Sequence, residues 1–332
     1  MAQAALTPID TRSAWRRSFV AVAALAGIAV VLNLLNPARI PALQNFLLVF
    51  SSLLIEAMPF ILLGAVVSAV IEVFVPRSVF DRLASLPRAV QLPAAGLTGF
   101  AFPVCECGSV PVARRLAHKG LSAGAAVTFM LAAPILNPVV LVSTIIAYRG
   151  RDILVPIVVG RATLGLLAAL AVGWIVANKT SGELLSATAE DDEHAHHADS
   201  RAGSFFSHLT GDFIFMGRFL VLGAAVAATM QTFVPQTWIA SIADTPFLSL
   251  IAMMALAFVL SLCSESDAFV AASFVQFGVG AQLAFLVFGP LVDTKLAFLY
   301  SGTFSREFLR TVVLVVGAVV FAGTLWVEVI VG

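Results

Sequence analysis

The chain has three cysteines, and two of them flank a carboxylate in the run Phe102-Pro-Val-Cys-Glu-Cys-Gly-Ser-Val-Pro111. Thiolates bind soft ions, so Cys105 and Cys107 are candidate ligands if they can reach one partner together. On a helix, residues two apart point about 200° from each other and cannot do so. In an extended stretch they share a side, and Glu106 faces away. Pro103, Gly108 and Pro111 argue against a continuous helix, so the expectation is an unwound segment with both thiols on one cavity. Each thiol alone is equally a small apolar packing residue. Glu106 is harder to set aside, because an ionisable group inside an apolar segment costs roughly 2.5–3.5 kcal/mol on insertion scales.

A second run, Cys263-Ser-Glu-Ser-Asp267, has the same register, with Glu265 at the position of Cys107 and Asp267 at that of Ser109. Each run is followed by a proline-interrupted apolar segment carrying polar groups, Pro134-x-x-Asn137-Pro138 in one case and Pro290-x-x-Asp293-Thr-Lys295 in the other. Proline frees a backbone carbonyl at that depth, and Asn137 or Asp293 adds a polar side chain to it. Lys295 can neutralise Asp293, Glu265 or Asp267. The acidic surplus that remains favours a cation site or a protonation relay over an anion site. Elsewhere, Glu190-Asp-Asp-Glu-His194-Ala-His196-His197-Ala-Asp199 mixes donors suited to zinc, nickel or copper. His194, His196 and His197 are therefore candidate metal ligands, although such tracts are also ordinary solvated linkers.

The elements that hold these groups belong to a membrane. Hydrophobic residues make up 60% of the 332 and charged residues 11%, where a soluble domain has about a quarter charged. Net charge is zero, which points to no nucleic-acid partner. Apolar runs occur at Phe19 to Leu35, Phe46 to Val75, Val90 to Arg114, Leu121 to Tyr148, Ile153 to Ala177, Phe205 to Val234, Phe247 to Phe277, Ala281 to Ser301 and Phe308 to Val331. About 20 apolar residues cross a bilayer core as a helix. The expected fold is therefore an all-α polytopic bundle of about nine spans, eight to ten, with broken helices at its centre. The first run is longer than the roughly 7–15 residues of a signal-peptide core, so it is expected to be an uncleaved helix, with cleavage near Ala26 as the alternative.

Loop charges set the orientation. Arg12, Arg16 and Arg17, then Arg77, Arg82 and Arg88, then Arg149 and Arg151, then Arg306 and Arg310 fall on one side, which should be cytoplasmic. The His-rich loop then lies on the outer face. Arg114, Arg115, His118 and Lys119 disagree, so either that segment is re-entrant or those charges face an aqueous cavity.

An internal repeat ties the two motif sets together. Leu62-Leu-Gly-Ala-Val-Val-Ser-Ala, with Phe74-Val-Pro after it, matches Val221-Leu-Gly-Ala-Ala-Val-Ala-Ala and Phe233-Val-Pro at a shift of 159 positions. Cys105 and Cys263 follow at 158, and Pro134 and Pro290 at 156. The organisation expected is an N-terminal tail and first helix (1–43), a first repeat (44–178), the acidic His-rich loop (179–204) and a second repeat (205–332). Duplicated halves with broken helices at matching positions are the mark of secondary transporters, whose substrate sites lie between the halves.

The Pro-Val-Cys-Glu-Cys-Gly-Ser-Val-Pro run, the Ala-Pro-Ile-Leu-Asn-Pro run and the second-half Cys-Ser-Glu-Ser-Asp with Gly-Pro-Leu-Val-Asp-Thr-Lys together resemble one family. It is the predicted-permease family that includes YraQ-type permeases and the ArsP organoarsenical efflux permeases. The resemblance runs from about Phe46 to the C-terminus. It implies a multi-pass plasma-membrane permease, not an enzyme, with the cysteine motif as substrate contact and, in some relatives, a second membrane subunit. Substrate does not transfer with fold.

The expected function is transport of a soft metal or metalloid species, for example a trivalent organoarsenical, through a central site with no cofactor. Cys105, Glu106, Cys107, Ser109, Asn137, Cys263, Glu265, Asp267, Asp293 and Lys295 are its candidate residues. Alternatives are a permease for zinc or another small solute acting with a partner subunit or as a homo-oligomer, and a membrane thiol oxidoreductase. Cys-x-Cys suits the last poorly, because the Cα atoms lie about 6–7 Å apart in extended backbone.

Overall fold

The computed structural model describes residues 41–100, 104–184, 201–233 and 246–331. The expected first helix at Phe19 to Leu35, the residues Phe102 and Pro103, and His194, His196 and His197 lie outside the described residues. By contacts the chain divides into Met1–Leu48, described only as the opening turns of the first helix, and Val49–Gly332, which holds all that follows.

Every regular element among the described residues is a helix. They are α1 (Pro41–Phe74), α2 (Arg77–Ala84), α3 (Arg88–Thr98), α4 (Glu106–His118), α5 (Ala123–Leu136), α6 (Pro138–Ala147), α7 (Leu154–Val176) and the single turn α8 (Ser181–Leu184). After these come α9 (Arg201–Phe233), α10 (Pro246–Leu260), α11 (Asp267–Ser273), α12 (Val279–Phe288), α13 (Thr294–Thr303) and α14 (Arg306–Val331). Helices satisfy their own backbone hydrogen bonds, which is what a chain this apolar requires in lipid.

Among the described residues five stretches are long and apolar enough to cross a membrane: α1, Ala123–Ala147 taken through its break, α7, α9 and Arg306–Ile330 of α14. Nine crossings therefore do not follow from helix length alone. The runs expected at Val90 to Arg114, Leu121 to Tyr148, Phe247 to Phe277 and Ala281 to Ser301 are each divided into two helices. The 13 residues of α4 extend about 20 Å, short of a core of about 30 Å. Each division falls at the Cys, Asn or Asp motif that marked its run.

The motif residues sit on or beside the most enclosed helices. All of α5 and α12 is buried, as is nearly all of α4. By contrast, α14 shows apolar side chains such as Leu314, Trp326 and Val329 on its surface, as lipid-facing helices do. The start of the acidic loop is tied down, since Lys179 pairs with Glu307 at 2.8 Å and Ser305 N donates to Leu184 O at 2.9 Å.

The repeated Leu-Gly-Ala motif has a steric reason. A Cβ on Gly64 would lie 2.5 Å from Gly108 O, and one on Gly108 would lie 2.8 Å from Phe60 O. The backbones of α1 and α4 thus meet directly, the small-residue crossing that membrane helices use. At the later Leu-Gly-Ala motif a Cβ on Gly223 of α9 would lie 2.9 Å from the Cα of Lys295. Both glycines bring a long helix against a segment that carries motif residues. Gly64→Val should lower the thermal midpoint of the detergent-purified protein, with overpacking costing about 1–3 kcal/mol. An unchanged midpoint would mean that the crossing relaxes freely.

Candidate functional site

The helix breaks set where the polar groups go. Cys105 is the extended N-cap of α4, with φ −77° and ψ 177°, and Glu106 is the first helical residue. A carboxylate there meets the positive end of the helix dipole, while Arg115 and His118 occupy the last turn. Gly108 and Pro111 lie inside α4, so the unwinding expected across them does not occur there, and of the described residues Val104 and Cys105 alone precede the helix without regular structure. The Ser109 hydroxyl donates to Glu106 O at 3.0 Å within that helix. Asn137 and Asp293 take the same job, each capping the helix that follows it. Asn137 Oδ1 accepts from Val139 N at 2.9 Å to start α6, and Asp293 Oδ1 accepts from Leu296 N at 2.6 Å to start α13. The break between α10 and α11 turns at Ser261, the one non-glycine residue with positive φ (47°) among the described residues. Ser261 Oγ there accepts from Thr294 N at 3.0 Å.

These breaks gather charges and thiols from both halves of the chain. Lys295 Nζ lies 3.8 Å from Glu106 Oε1 and 3.8 Å from Asp293 Oδ2. It also donates to Cys263 Sγ at 3.9 Å. Ser264 Oγ donates to Glu106 Oε2 at 2.9 Å. Cys105 and Cys107 are buried in one core cluster on either side of Glu106, while Cys263 is reached through Lys295. All three are buried free thiols. Glu106, Asp293 and Lys295 are no more than 1% exposed, so the ammonium holds two carboxylates almost without water.

A second buried pair adjoins the first. Arg161 of α7 donates to Asp267 Oδ2 at 2.7 Å, to Ser264 O at 3.1 Å and to Thr144 Oγ1 at 2.9 Å. Ser266 Oγ donates to Glu56 Oε1 of α1 at 3.0 Å. Both carboxylate oxygens of Glu265 are shut away from solvent without a hydrogen-bond partner.

Two expectations change. Glu106 does not stand apart but meets Lys295, which also donates to Cys263, because the chain turns helical at Glu106 and extended alternation ends there. Lys295 is not the lone counter-ion, because Arg161 takes Asp267. Five carboxylates, Glu56, Glu106, Glu265, Asp267 and Asp293, then face two cations, so an acidic surplus persists. The oxygens of Asn137 and Ser109 serve helix caps and turns. Among the described residues no group of three or more His, Cys, Asp or Glu is arranged to hold a metal ion.

Sequence reasoning passed over Arg161 and Glu56. The signal was present, since Arg161 is the one charged residue in α7 and the cost of burying a charge that singled out Glu106 applies to it equally.

The discordant basic cluster forms a separate nest at the other end of α4. Arg115 pairs with Asp212 at 3.3 Å and Glu72 at 3.5 Å, and Arg114 lies 3.8 Å from Asp212. Lys119 pairs with Glu72 at 3.4 Å and donates to its carbonyl at 2.6 Å. Ser68 donates to Asp212 at 2.6 Å. Arg114, Arg115 and Lys119 are buried side chains paired to α1 and α9, not loop charges, which removes them from the count that sets orientation.

The family model described as a predicted permease, ArsP_1, matches residues 42–329. UPF0718 protein YcgR of Bacillus subtilis (strain 168) is 39% identical over 287 residues, covering 84% of this chain and 96% of that protein. A putative two-component membrane permease complex subunit of Streptococcus mutans is 34% identical over 265 residues, covering 79% of this chain and 88% of that one. No solved structure matches at a significant level.

Proposed function

The chain belongs to the ArsP_1 family of predicted permeases, and from that premise we propose that it moves a soft metal or metalloid species through the thiol and carboxylate nest between its halves. The observation that carries this reading is the meeting of Glu106, which stands between Cys105 and Cys107 in the chain, with Lys295, Asp293 and Cys263 from the second half. Thiols suit soft, polarisable species, and the acidic surplus suits cation charge or proton exchange. Family membership supports a transporter over an enzyme, and a membrane location of the multi-pass kind.

The finer topology in this reading has about nine crossings and two repeated halves. It is supported by the parallel order of elements once the short α2 is set aside: a long helix, a shorter helix, a broken Cys segment, a buried apolar helix, a capped helix and a long closing helix, from α1 to α7 and again from α9 to α14. The nest then lies at the interface of the repeats, where transporters of this construction bind substrate. The S. mutans relative is named as a complex subunit, which supports a second membrane subunit here. His194, His196 and His197 would collect divalent metal on the outer face.

A second reading, transport of a different small solute by the unwound backbone, is favoured by the lack of a three-donor metal arrangement among the described residues. The experiment that separates the two is an accumulation panel of trivalent organoarsenical, zinc, copper and mercury in cells with and without the gene. It is repeated with Cys105→Ser/Cys107→Ser and with Cys263→Ser. The thiol reading expects a changed cellular content of at least one soft species, and a loss of about tenfold or more in apparent affinity in the variants. Normal transport by the double serine variant would remove the thiol role.

A further inference from the structure

A cavity of about 300 Å³ lies away from the thiol nest, between α1, α2, α3, α4 and α5. None of the candidate substrate residues lines it. Its walls are apolar, with Ile71, Phe80, Leu83, Ala95, Leu116 and Phe129 among them. Two lining residues carry polar side chains, and both are already satisfied within the protein. Gln91 Nε2 donates to Leu83 O at 2.9 Å, and its Oε1 accepts from Ser122 Oγ at 2.7 Å. Thr98 Oγ1 donates to Ala95 O at 2.6 Å. A polar solute entering would lose its hydration and find no partner in return. The occupant is therefore apolar where it sits in the cavity, and the volume falls at the lower end of ligand pockets.

Charge next to the lining residues in sequence narrows the choice. The helix α2 and the turn after it contribute Phe80, Leu83 and Leu86 to the cavity, while Arg82 in α2 and Arg88 at the start of α3 are exposed. No ion pair joins Arg82 or Arg88 to a carboxylate among the described residues. A short helix with one apolar face and arginines beside it is the form of segment that lies along a membrane interface and attracts anionic headgroups. We propose that this cavity holds one acyl chain of an anionic phospholipid, with its phosphate held by Arg82 and Arg88.

The test uses the full chain, purified in mild detergent from cells containing phosphatidylglycerol and phosphatidylethanolamine, with retained lipid identified by native mass spectrometry. One phosphatidylglycerol per chain is expected on the wild type. Ala95→Trp, which fills the cavity, should cut retention by about tenfold while elution volume is unchanged. Arg82→Gln/Arg88→Gln should retain lipid without preference for the anionic class. Should Ala95→Trp fail to fold, Phe80→Trp supplies a reporter on otherwise intact walls. Its fluorescence should be quenched more by phosphatidylglycerol with brominated acyl chains than by phosphatidylcholine brominated in the same way. A wild type that emerges free of lipid, equal quenching by the two lipids, or a co-purifying peptide in place of lipid would each overturn the assignment.

Discussion

Arg161→Met should destabilise the protein by about 3–5 kcal/mol, because it strands Asp267 as a buried charge without its partner. Arg161 is wholly buried and Asp267 is 2% exposed. Water cannot take over the solvation of the carboxylate that remains. The same guanidinium also holds Ser264 O and the Thr144 hydroxyl, so its loss frees the broken segment that carries Cys263 and Ser264. Arg161→Met/Asp267→Leu should recover most of the lost stability, since replacing a whole buried pair by apolar groups is often neutral. Arg161→Lys should fall between the two, because an ammonium cannot reproduce the planar fork that reaches three acceptors. Thermal unfolding of the four proteins in one detergent checks the series. A single variant as stable as the wild type would show that the pair does not exist in solution.

Sequence made the helical membrane fold legible through hydrophobic run length, and made the position of each helix break legible through Pro, Asn, Asp and Cys placement. The runs around α1, α7, α9 and α14 match their helices to within a few residues at most ends. What sequence could not supply was direction. Whether Glu106 faces toward or away from the cysteines depends on the single residue at which helical geometry begins. Composition does not fix that residue, because Gly108 and Pro111 are helix breakers in isolation yet are tolerated in α4 by its neighbours.

Ion partners were hidden for a different reason. Asp267 meets Arg161 across 106 positions of sequence, and Arg115 meets Asp212 across 97. Run-by-run reading treats each such charge as an isolated cost, when the cost is what selects the pair. The repeated Gly64 and Gly223 were visible as a pattern, but their purpose, backbone contact beside Gly108 and Lys295, needed coordinates. The basic cluster looked like a topology error because orientation rules count loop charges, and these are buried at the end of α4.

Both ends of α4 therefore carry buried ions, Glu106 at its start and Arg114, Arg115 and Lys119 at or just beyond its close. The arrangement complements the helix dipole at each terminus. It also means that α4 cannot move along its axis without parting Glu106 from Lys295 and Ser264, or Arg115 from Asp212 and Glu72. Any alternation of access in the proposed mechanism has to carry these pairs as a unit or exchange them.

Lys295→Met should abolish transport under the proposed reading, and it should also destabilise the protein on the same scale of about 3–5 kcal/mol. Glu106 and Asp293 would be left facing each other's environment with no cation between them. The structural and functional parts separate through partner removal. Lys295→Met/Glu106→Gln leaves one unpaired carboxylate in place of two, so its thermal midpoint should rise above that of the single variant while transport stays lost. Glu106→Gln alone keeps the hydrogen bond from Ser264 and the ammonium on Asp293, so it should fold near normally and still fail to transport if Glu106 carries cation charge or protons. Measurement of thermal midpoint and of the cellular content of the transported species in the three variants decides the matter. Normal transport by Glu106→Gln would confine the carboxylate to a structural role, and normal transport by Lys295→Met would place the translocated species elsewhere in the fold.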